Sequence, residues 1–464
     1  MTRVLLVQAA SHERHVERSQ PLGLMHIASV LRDAADADVR LHDMRPKWRD
    51  LDAPMRAFDE FTPDVVGFSA HGLDAPVMYD LASRMKARRR DVKVVCGGIH
   101  ATLYGRDVAA NPDVDYAVVG EGEQTFLDLI RALESNSDVR GIPGLAFRDG
   151  DGVRENPERP FETNLDRWPM PAWDLIDIGA YEGLPRISII SKHPRYMAIE
   201  TARGCPYHCA WCHVSMGHGY RPRSAGYVVG MIEELVRQHG IRDILVIDDL
   251  FNLDPQRVRD IFESLLARGL RVPMAIPNGF HANLATDDML ELMARAGVYR
   301  VMIAVETASP RLQKTMKKNL NLEKAKHVIR KASSLGISAH GNFIIGLPTE
   351  TASEMRETIR FAATSKLDTF GLYRATPYAK TPMEKMARDL GVDTPVGETF
   401  QSFWDDANNL SEIPLKTLNR ARRTAYLKFY LRPSRLYRLI ARMPNRSETL
   451  PFLVRFFFRK VLAN

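Results

Sequence analysis

Gly204-Cys205-Pro206-Tyr207-His208-Cys209-Ala210-Trp211-Cys212 places three of the chain's four cysteines in one C-x3-C-x2-C turn. A closed structural metal site wants four protein ligands, so three thiolates on one loop point to a metal left open to another ligand. Thiolate sulfur is the usual ligand of iron–sulfur clusters, normally four per [4Fe–4S] cluster. Three cysteines would hold three irons and leave the fourth free for a small molecule. Zinc is the alternative, with His208 or His213 completing a Cys3His set. Cys96 lies in the apolar run Val92-Lys93-Val94-Val95-Cys96-Gly97 and reads as a small core hydrophobe.

Around this turn, short apolar segments alternate with amphipathic ones. Strands are expected at Met197–Glu200, Ile244–Ile247, Val272–Ile276, Val301–Val305, Ala339–Ile345 and Thr369–Tyr373. Helices are expected at about 225–239, 255–268, 286–297, 321–335 and 351–365. Six β/α units suit a partial barrel, whose site gathers at the carboxyl ends of the strands. Asp248-Asp249, Asn278, Glu306, Asn342 and Gly346, and Tyr373 all fall at or near such ends. For Asp248, Glu306 and Glu350, helix capping or first-turn charge is the alternative to ligand binding, and for Glu350 it is preferred.

Upstream the alternation is similar. Strands are expected at Val4–Val7, Val39–His42, Asp64–Ser69, Val92–Cys96 and Tyr116–Val119, with helices at Leu22–Ala34, Ala75–Arg88 and Thr125–Leu133. This pattern predicts an open, doubly wound parallel sheet that binds its ligand at the carboxyl edge. Glycine collects there, in Gly97-Gly98-Ile99-His100-Ala101-Thr102 and Gly120-Glu121-Gly122-Glu123, where backbone can approach a ligand closely. The expected organisation is a domain over 1–145, a linker over 146–190, a β/α core over 191–385 and a helical basic extension over 386–464. The linker carries an Asp149-Gly150-Asp151-Gly152 turn and an extended Pro169-Met170-Pro171 segment.

At 464 residues, 45% hydrophobic and 26% charged, the chain is an ordinary globular protein of more than one domain. Four cysteines, three of them clustered, argue against a disulfide framework and for a reducing cytoplasm. The first residues read as a strand and not a signal peptide, and no run of about twenty apolar residues suggests a membrane span. Residues 415–464 hold thirteen Lys or Arg against Glu448 alone, while the whole chain is +7, so the remainder is net acidic. This tail, with Phe456-Phe457-Phe458-Arg459-Lys460, suits peripheral contact with anionic lipid or receipt of an acidic substrate. A packed terminal helix pair with a solvated basic face is the preferred reading. No nucleic-acid-reading motif accompanies the charge.

The cysteine loop, with an aromatic residue just before its last Cys, resembles that of the radical S-adenosylmethionine (SAM) enzymes. The resemblance implies a [4Fe–4S] cluster on Cys205, Cys209 and Cys212, with SAM's amino and carboxylate groups on the open iron and a 5′-deoxyadenosyl radical as product. Pro21-Leu22-Gly23-Leu24, Asp64-Val65-Val66-Gly67-Phe68-Ser69, the two glycine-rich stretches above and Asp115-Tyr116, in this order, resemble the cobalamin-binding domain that precedes many such cores. The cofactor-binding residues so implied are Ser69, His71, Gly97, Gly98, His100, Thr102, Gly120, Glu121, Gly122 and Glu123 in the first domain. In the core they are Asp249, Asn278, Glu306, Asn342, Gly346 and Tyr373, with Glu306 toward SAM's ribose or amino end and Tyr373 toward substrate. None of the fourteen His has an Asp two residues before it, so the D-x-H-x-x-G loop that ligates cobalt is absent. Methylthiotransferases carry further cysteines upstream, and here Cys96 stands alone.

The reading that follows is a cobalamin-dependent radical SAM methyltransferase. One SAM would methylate cobalamin. A second would yield the radical that takes hydrogen from an unactivated carbon, which then receives the methyl group. The alternatives are an oxidative cyclase or ring-rearranging enzyme with the same cofactors, and a non-catalytic iron–sulfur or zinc protein. Expected partners are a small-molecule substrate, hydrophobic or anionic, and an external low-potential electron donor.

Overall fold

The computed structural model describes residues 1–11, 19–35, 37–188, 190–213, 216–378, 380–392 and 409–442. The chain forms two compact units, residues 1–186 and, apart from 215–217, residues 187–464.

The first unit is built on strands β1 (Arg3–Gln8), β2 (Asp38–Asp43), β3 (Val65–Ser69), β4 (Lys93–Gly97), β5 (Tyr116–Val118), β6 (Leu145–Asp149) and β7 (Gly152–Glu155). Its helices are α1 (Leu22–Ala34), α2 (Ala53–Phe61), α3 (Ala75–Arg88), α4 (Gly98–Ala110) and α5 (Gly122–Glu134). The strand order is β2-β1-β3-β4-β5-β6-β7, parallel through β5 and antiparallel beyond it. Alternation along β1 explains the two helical layers. Val4 and Leu6 join a cluster with Leu24, Leu31, Phe126 and Ile130 of α1 and α5. Leu5 and Val7 join Phe58, Met78, Met85 and Val108 of α2, α3 and α4. The chain leaves β1 to one side for β2 and returns on the other for β3, so the switch point lies between β1 and β3.

Two expectations are revised here. Residues 145–155, expected as the end of the first domain and the start of the linker, form β6 and β7 on the sheet, with Val118 opposite Leu145 and the hairpin turn at Gly150-Asp151. The stretch from Gly98, expected as a strand-end loop, is the helix α4, and Gly122 and Glu123 likewise open α5. Cys96 is fully buried in the sheet core, and burial pushes its thiol far up.

The second unit begins with β8 (Met197–Ile199), the short antiparallel pair β9 (Ala202–Arg203) and β10 (Arg221–Pro222), and α6 (Ala225–Arg237). Then come β11 (Ile244–Val246), α7 (Pro255–Ala267), β12 (Met274–Phe280), α8 (Asp287–Ala296) and β13 (Val298–Glu306). Next are α9 (Pro310–Thr315), α10 (Leu322–Ser334), β14 (Ser338–Ile345), α11 (Ala352–Thr364) and β15 (Thr369–Arg374). Helices α12 (Pro382–Asp389), α13 (Leu415–Tyr430) and α14 (Pro433–Arg442) complete the described part. β8, β11, β12, β13, β14 and β15 pair in that order, all parallel. This is the open (β/α)6 arrangement expected of a partial barrel.

Local chemistry sets the helix starts. Ser224 accepts from Tyr227 N before α6, Asp254 precedes Pro255 at the first turn of α7, and Thr351 with Glu354 forms a reciprocal capping box on α11. β12 runs on to Phe280, so Asn278 lies within the strand and not after it.

The basic C-terminal helices are packed. Phe370 of β15 lies 4.8 Å from Tyr426 and 4.2 Å from Phe429 between ring centroids. Arg435 donates to the carbonyls of Leu367, Phe429, Ala363 and Ser365, and Arg438 and Arg442 pair with buried Asp368. Part of the basic excess thus closes the end of β15 and α11. Phe456–Lys460 lies outside the described residues. Among the described residues no helix is long and apolar enough to cross a membrane.

Candidate active site

The cysteine loop leaves β8 and β9 and is tied down on both sides. Asp248, at the end of β11, accepts from Thr201 N at 2.6 Å and Thr201 Oγ1 at 2.5 Å. Asp249 accepts from Gly204 N at 3.2 Å. Further along, Ala210 N donates to the Met316 carbonyl (3.0 Å) and Met383 N to the Ala210 carbonyl (2.8 Å). Ala210 and Trp211 pack with Leu312, Met316, Leu347 and Met383. Trp211 is therefore a wedge between the loop and its support, which accounts for an aromatic residue before Cys212.

Cys205 and Cys209 are half-buried and Cys212 is exposed; all three are free thiols. Burial raises the pKa of each; the Asp249 charge adds to it at Cys205, and neighbouring thiols add to it at Cys209 and Cys212, with Cys212 pushed up to about 12. The Lys318 ammonium opposes the rise at all three. Among the described residues no three His, Cys, Asp or Glu side chains converge on one metal-ion position. The donor set fits a cluster, which takes one thiolate at each of separate corners, better than one tetrahedral ion. A second feature fits as well. His281 is buried and stacked 4.6 Å from the Tyr207 ring of the cysteine loop. Its Nδ1 accepts from Asn283 N at 3.3 Å, so the proton sits on Nε2, and among the described residues Nε2 has no partner. Burial and nearby Lys318 hold the ring neutral, down to about 3. A buried N–H donor stacked against the cysteine loop is suited to an acceptor supplied by a bound group.

Glu306 ends β13 in a left-handed conformation, φ +65°, and is 7% exposed. A non-glycine residue there is uncommon and strained. Burial raises its carboxyl to about 7, opposed among the described residues by Lys318 alone. The strain is held from beneath by Gln313, whose Nε2 donates to the carbonyls of Val305 (2.8 Å) and Thr307 (2.7 Å). Gln313 also receives Leu320 N on its Oε1 and Lys318 N and Asn319 N on its carbonyl. Lys317 and Asn319, at φ +54° and +52°, flank Lys318 and present it toward the thiols. Lys318 and Gln313 are the functional candidates that sequence reasoning did not select, whereas His281, like Asn278, is a polar residue expected at the end of the third core strand. Only the tertiary fold brings Lys318 within electrostatic reach of the thiols.

The remaining expected core residues fall at the same sheet edge. Asn278 Nδ2 donates to the Asp248 carbonyl at 3.0 Å, so it braces β11 against β12. Gly279, at φ +68°, has no room for a Cβ, which would lie 2.3 Å from the Asp248 carbonyl oxygen. Gly346 N donates to Glu350 Oε2 at 2.5 Å, which makes Glu350 a turn brace. Burial also pushes Asp248 and Glu350 up to about 7. Asn342 and Tyr373 are half-buried on β14 and β15.

In the first unit the expected residues sit on adjacent strand ends. Gly98, at φ +81°, abuts Ser69: an added Cβ would lie 2.8 Å from Ser69 Oγ. His71 is exposed beyond β3, whereas His100 is buried and bonded through Nε2 to Tyr79 OH at 3.1 Å. Thr102 Oγ1 donates to the Gly98 carbonyl (2.9 Å) and accepts from Gly120 N (3.2 Å), which ties the β4 and β5 ends together. Glu121 accepts from Glu162 N at 3.1 Å, and Glu123 is buried in the first turn of α5. Gly97 carries its carbonyl to Ala70 N at 3.4 Å. An added Cβ on Gly120 would meet nothing within 4 Å, so this edge has open backbone that a flat ligand can approach.

A doubly wound sheet with an open glycine edge and an open (β/α)6 unit with a three-thiol loop are the two parts of a cobalamin-binding radical SAM enzyme. The comparisons agree. The radical SAM superfamily model matches residues 199–362 and the B12 binding domain model residues 16–130. An uncharacterised methyltransferase of Pyrococcus horikoshii is 30% identical over 418 residues, 89% of this chain and 88% of that protein. The cytidylyl-2-hydroxyethylphosphonate methyltransferase of Streptomyces wedmorensis is 31% identical over 355 residues, 70% of this chain and 66% of that protein. Among solved structures, the radical SAM methyltransferase TsrM of Kitasatospora setae, with tryptophan and a SAM analogue, aligns with TM-score 0.69 at 22% identity, covering 86% of this chain and 78% of that one. The chain belongs to the cobalamin-binding radical SAM enzyme family. Its cofactors are a [4Fe–4S] cluster, SAM and cobalamin.

Proposed function

We propose that the protein is a C-methyltransferase that acts on an unactivated carbon of a small, hydrophobic or anionic substrate in the cytoplasm. The observation that carries the reading is the cysteine loop. Its three free thiols all face the Lys318 charge, and Cys209 also faces the strained, buried carboxyl of Glu306. When bound, the cluster and SAM supply a radical able to abstract hydrogen, and cobalamin supplies a methyl carrier.

The chain's own residues bind, orient and exclude water. Cys205, Cys209 and Cys212 hold three irons. Glu306 and Asp249 accept hydrogen bonds from SAM's amino group or ribose, because carboxylates take donors. Gly346-Leu347, braced by Glu350, backs the adenine. Asn278 and Tyr373 line the mouth. Ser69, His71, Gly97, Gly98, His100, Thr102, Gly120, Glu121, Gly122 and Glu123 belong to the cobalamin edge, with no histidine ligand to cobalt. We place the domains at 1–186 for cobalamin, with the segment 156–186 as its trailing linker, and 187–385 for the radical SAM core.

A low-potential electron donor is required from outside. Peripheral contact with anionic lipid is part of the proposal. A groove of about 640 Å³ between α11 and α13 is lined by Arg356, Arg360, Arg420, Lys428 and Arg432 without a carboxylate. Co-sedimentation with anionic vesicles tests it.

The main test is anaerobic reconstitution with cob(II)alamin, SAM and a low-potential reductant, beside Cys209→Ala, with products read by mass spectrometry. Cobalamin-dependent S-adenosylhomocysteine together with 5′-deoxyadenosine, both absent from the variant, supports methyl transfer. Deoxyadenosine alone, in the presence of a turned-over substrate, favours ring formation. Neither product from cluster-loaded protein overturns the enzymatic reading.

A further inference from the structure

The sheet of the second unit has a helix-covered face and an inner face. Phe343 packs on Phe361 of α11 at 6.1 Å and Phe370 packs on α13, so residues one position away on β14 and β15 point inward. Ser338, His340 and Asn342 on β14, and Thr369 on β15, share that inner face with Arg300 of β13. They form a continuous chain of hydrogen bonds. Arg300 Nη2 lies 3.0 Å from Thr369 Oγ1, and Nη1 lies 3.4 Å from Ser338 Oγ. Thr369 Oγ1 is 2.7 Å from His340 Nδ1, and His340 Nε2 is 2.9 Å from Asn342 Oδ1.

The direction of each bond follows from its members. An arginine only donates, so Thr369 Oγ1 accepts from it. Thr369 is 1% exposed, and among the described residues His340 Nδ1 is the acceptor within reach of its hydroxyl hydrogen. A buried hydroxyl hydrogen left unpaired is costly, so it points at Nδ1. Burial and the Arg300 charge hold His340 neutral, down to about 3. A neutral imidazole that accepts on Nδ1 carries its proton on Nε2. That proton goes to the amide oxygen of Asn342. The Asn342 nitrogen, with both its hydrogens, is left to donate elsewhere from a half-buried residue.

We propose that Thr369 and His340 are positioning residues that relay the donor-only polarity of Arg300 to Asn342, so that its amide N–H groups are held free to donate to a hydrogen-bond acceptor of bound SAM. The choice of SAM as the ligand rests on the function proposed above; the relay itself does not. The arrangement makes Asn342 a selector. A ligand atom at this level must be an acceptor, and a donor there would face two N–H groups it cannot pair with. A permanently charged anchor and a neutral ring also keep the relay independent of pH across the physiological range.

The test has two readouts. With histidine labelled by 15N, long-range proton–nitrogen correlation reports which ring nitrogen carries the proton, and His340→Gln identifies the signal by its loss. The expected result is a pure Nε2–H form in the wild type and in Thr369→Ser, and loss of that purity in Thr369→Val. In parallel, calorimetry with S-adenosylhomocysteine on cluster-reconstituted protein should give wild-type affinity for Thr369→Ser. A loss of about tenfold is expected for Thr369→Val and for Asn342→Asp, in which a donor becomes an acceptor. An Nδ1–H form in the wild type overturns the relay without any variant. Equal affinity of all variants overturns the role of Asn342. Failure of the wild type to bind the probe overturns the SAM reading instead, and the tautomer still judges the relay.

Discussion

Asp248 and Thr201 are joined by two hydrogen bonds, from Thr201 N and Oγ1 to the two carboxyl oxygens, and both residues are buried. They lie just past the ends of adjacent strands β8 and β11, so the bond pair fixes where the chain leaves β8 to enter the cysteine loop. Capping of the next helix would be the ordinary role for an aspartate after a strand, but Asp254 caps α7 instead. Asp248→Ala should leave two Thr201 donors unpaired in the core and cost about 2–4 kcal/mol. The loop loses its anchor at the same time. Iron per chain after reconstitution should fall along with the unfolding temperature. Retention of full iron content would separate the Asp248 lock from the cysteine loop.

The four cysteines should divide sharply. Cys205, Cys209 and Cys212 carry no packing load as free, half-buried or exposed thiols, whereas Cys96 is fully enclosed. Alanine at any of the three should change the stability of cluster-free protein by less than about 0.5 kcal/mol. The same change should abolish the iron–sulfur absorbance and SAM cleavage. Cys96→Ser places a hydroxyl without room for water in the sheet core. It should cost about 1–3 kcal/mol and leave iron loading intact. Thermal unfolding and iron analysis of the four variants decide it.

Much of this was legible in the chain because caps and strand composition agree with the final fold. α1 and α3 occupy the expected 22–34 and 75–88, and the six core strands fall where the apolar runs fall. α4 was missed because its buried face is made of His100, Ala101, Gly105, Val108 and Ala109 and it breaks at Tyr104, which leaves little apolar periodicity. β6 and β7 were missed because an antiparallel edge added to a parallel sheet continues straight from a loop. Lys318 was invisible for a different reason. Its direction depends on left-handed Lys317 and Asn319; asparagine favours that conformation among non-glycine residues, but lysine does not announce it.

Two glycine substitutions should separate the cofactors. Gly98→Ala meets Ser69 Oγ at 2.8 Å from a backbone at φ +81°, in the unit that carries the cobalamin edge. Gly279→Ala meets the Asp248 carbonyl at 2.3 Å from φ +68°, in the unit that carries the thiols. Each costs the left-handed penalty of roughly 1–2 kcal/mol plus the displacement of its neighbour. Gly98→Ala should weaken cobalamin binding, read from the corrin absorbance retained after gel filtration, with normal iron content. Gly279→Ala should lower iron content with cobalamin retained. A reversed pattern would reassign the two edges.

The pH dependence of the cluster-free protein has a definite sign. Burial raises Glu306 and Glu350 from 4.5, and Asp248 from 3.8, to about 7 in each case. A raised carboxyl pKa means that the fold favours the protonated form. The stability these groups allow is therefore complete below about pH 4, where both states are protonated, and it is lost as pH rises through 7. The loss is of the order of 1–3 kcal/mol per group between those limits. Glutamine in place of Glu306 or Glu350 keeps the shape without the titration. Each variant should flatten the fall in unfolding temperature between pH 5 and 8, and Glu306→Gln should equal or exceed the wild type in stability at pH 8. Its gain arises because, among the described residues, Lys318 is the sole charge relieving the wild-type carboxylate. Unfolding temperatures of wild type, Glu306→Gln and Glu350→Gln measured across that range check the claim. A wild-type curve that rises with pH through this window would show that these carboxyls are ionised at no cost, and that groups opposite them, Lys318 first, compensate fully.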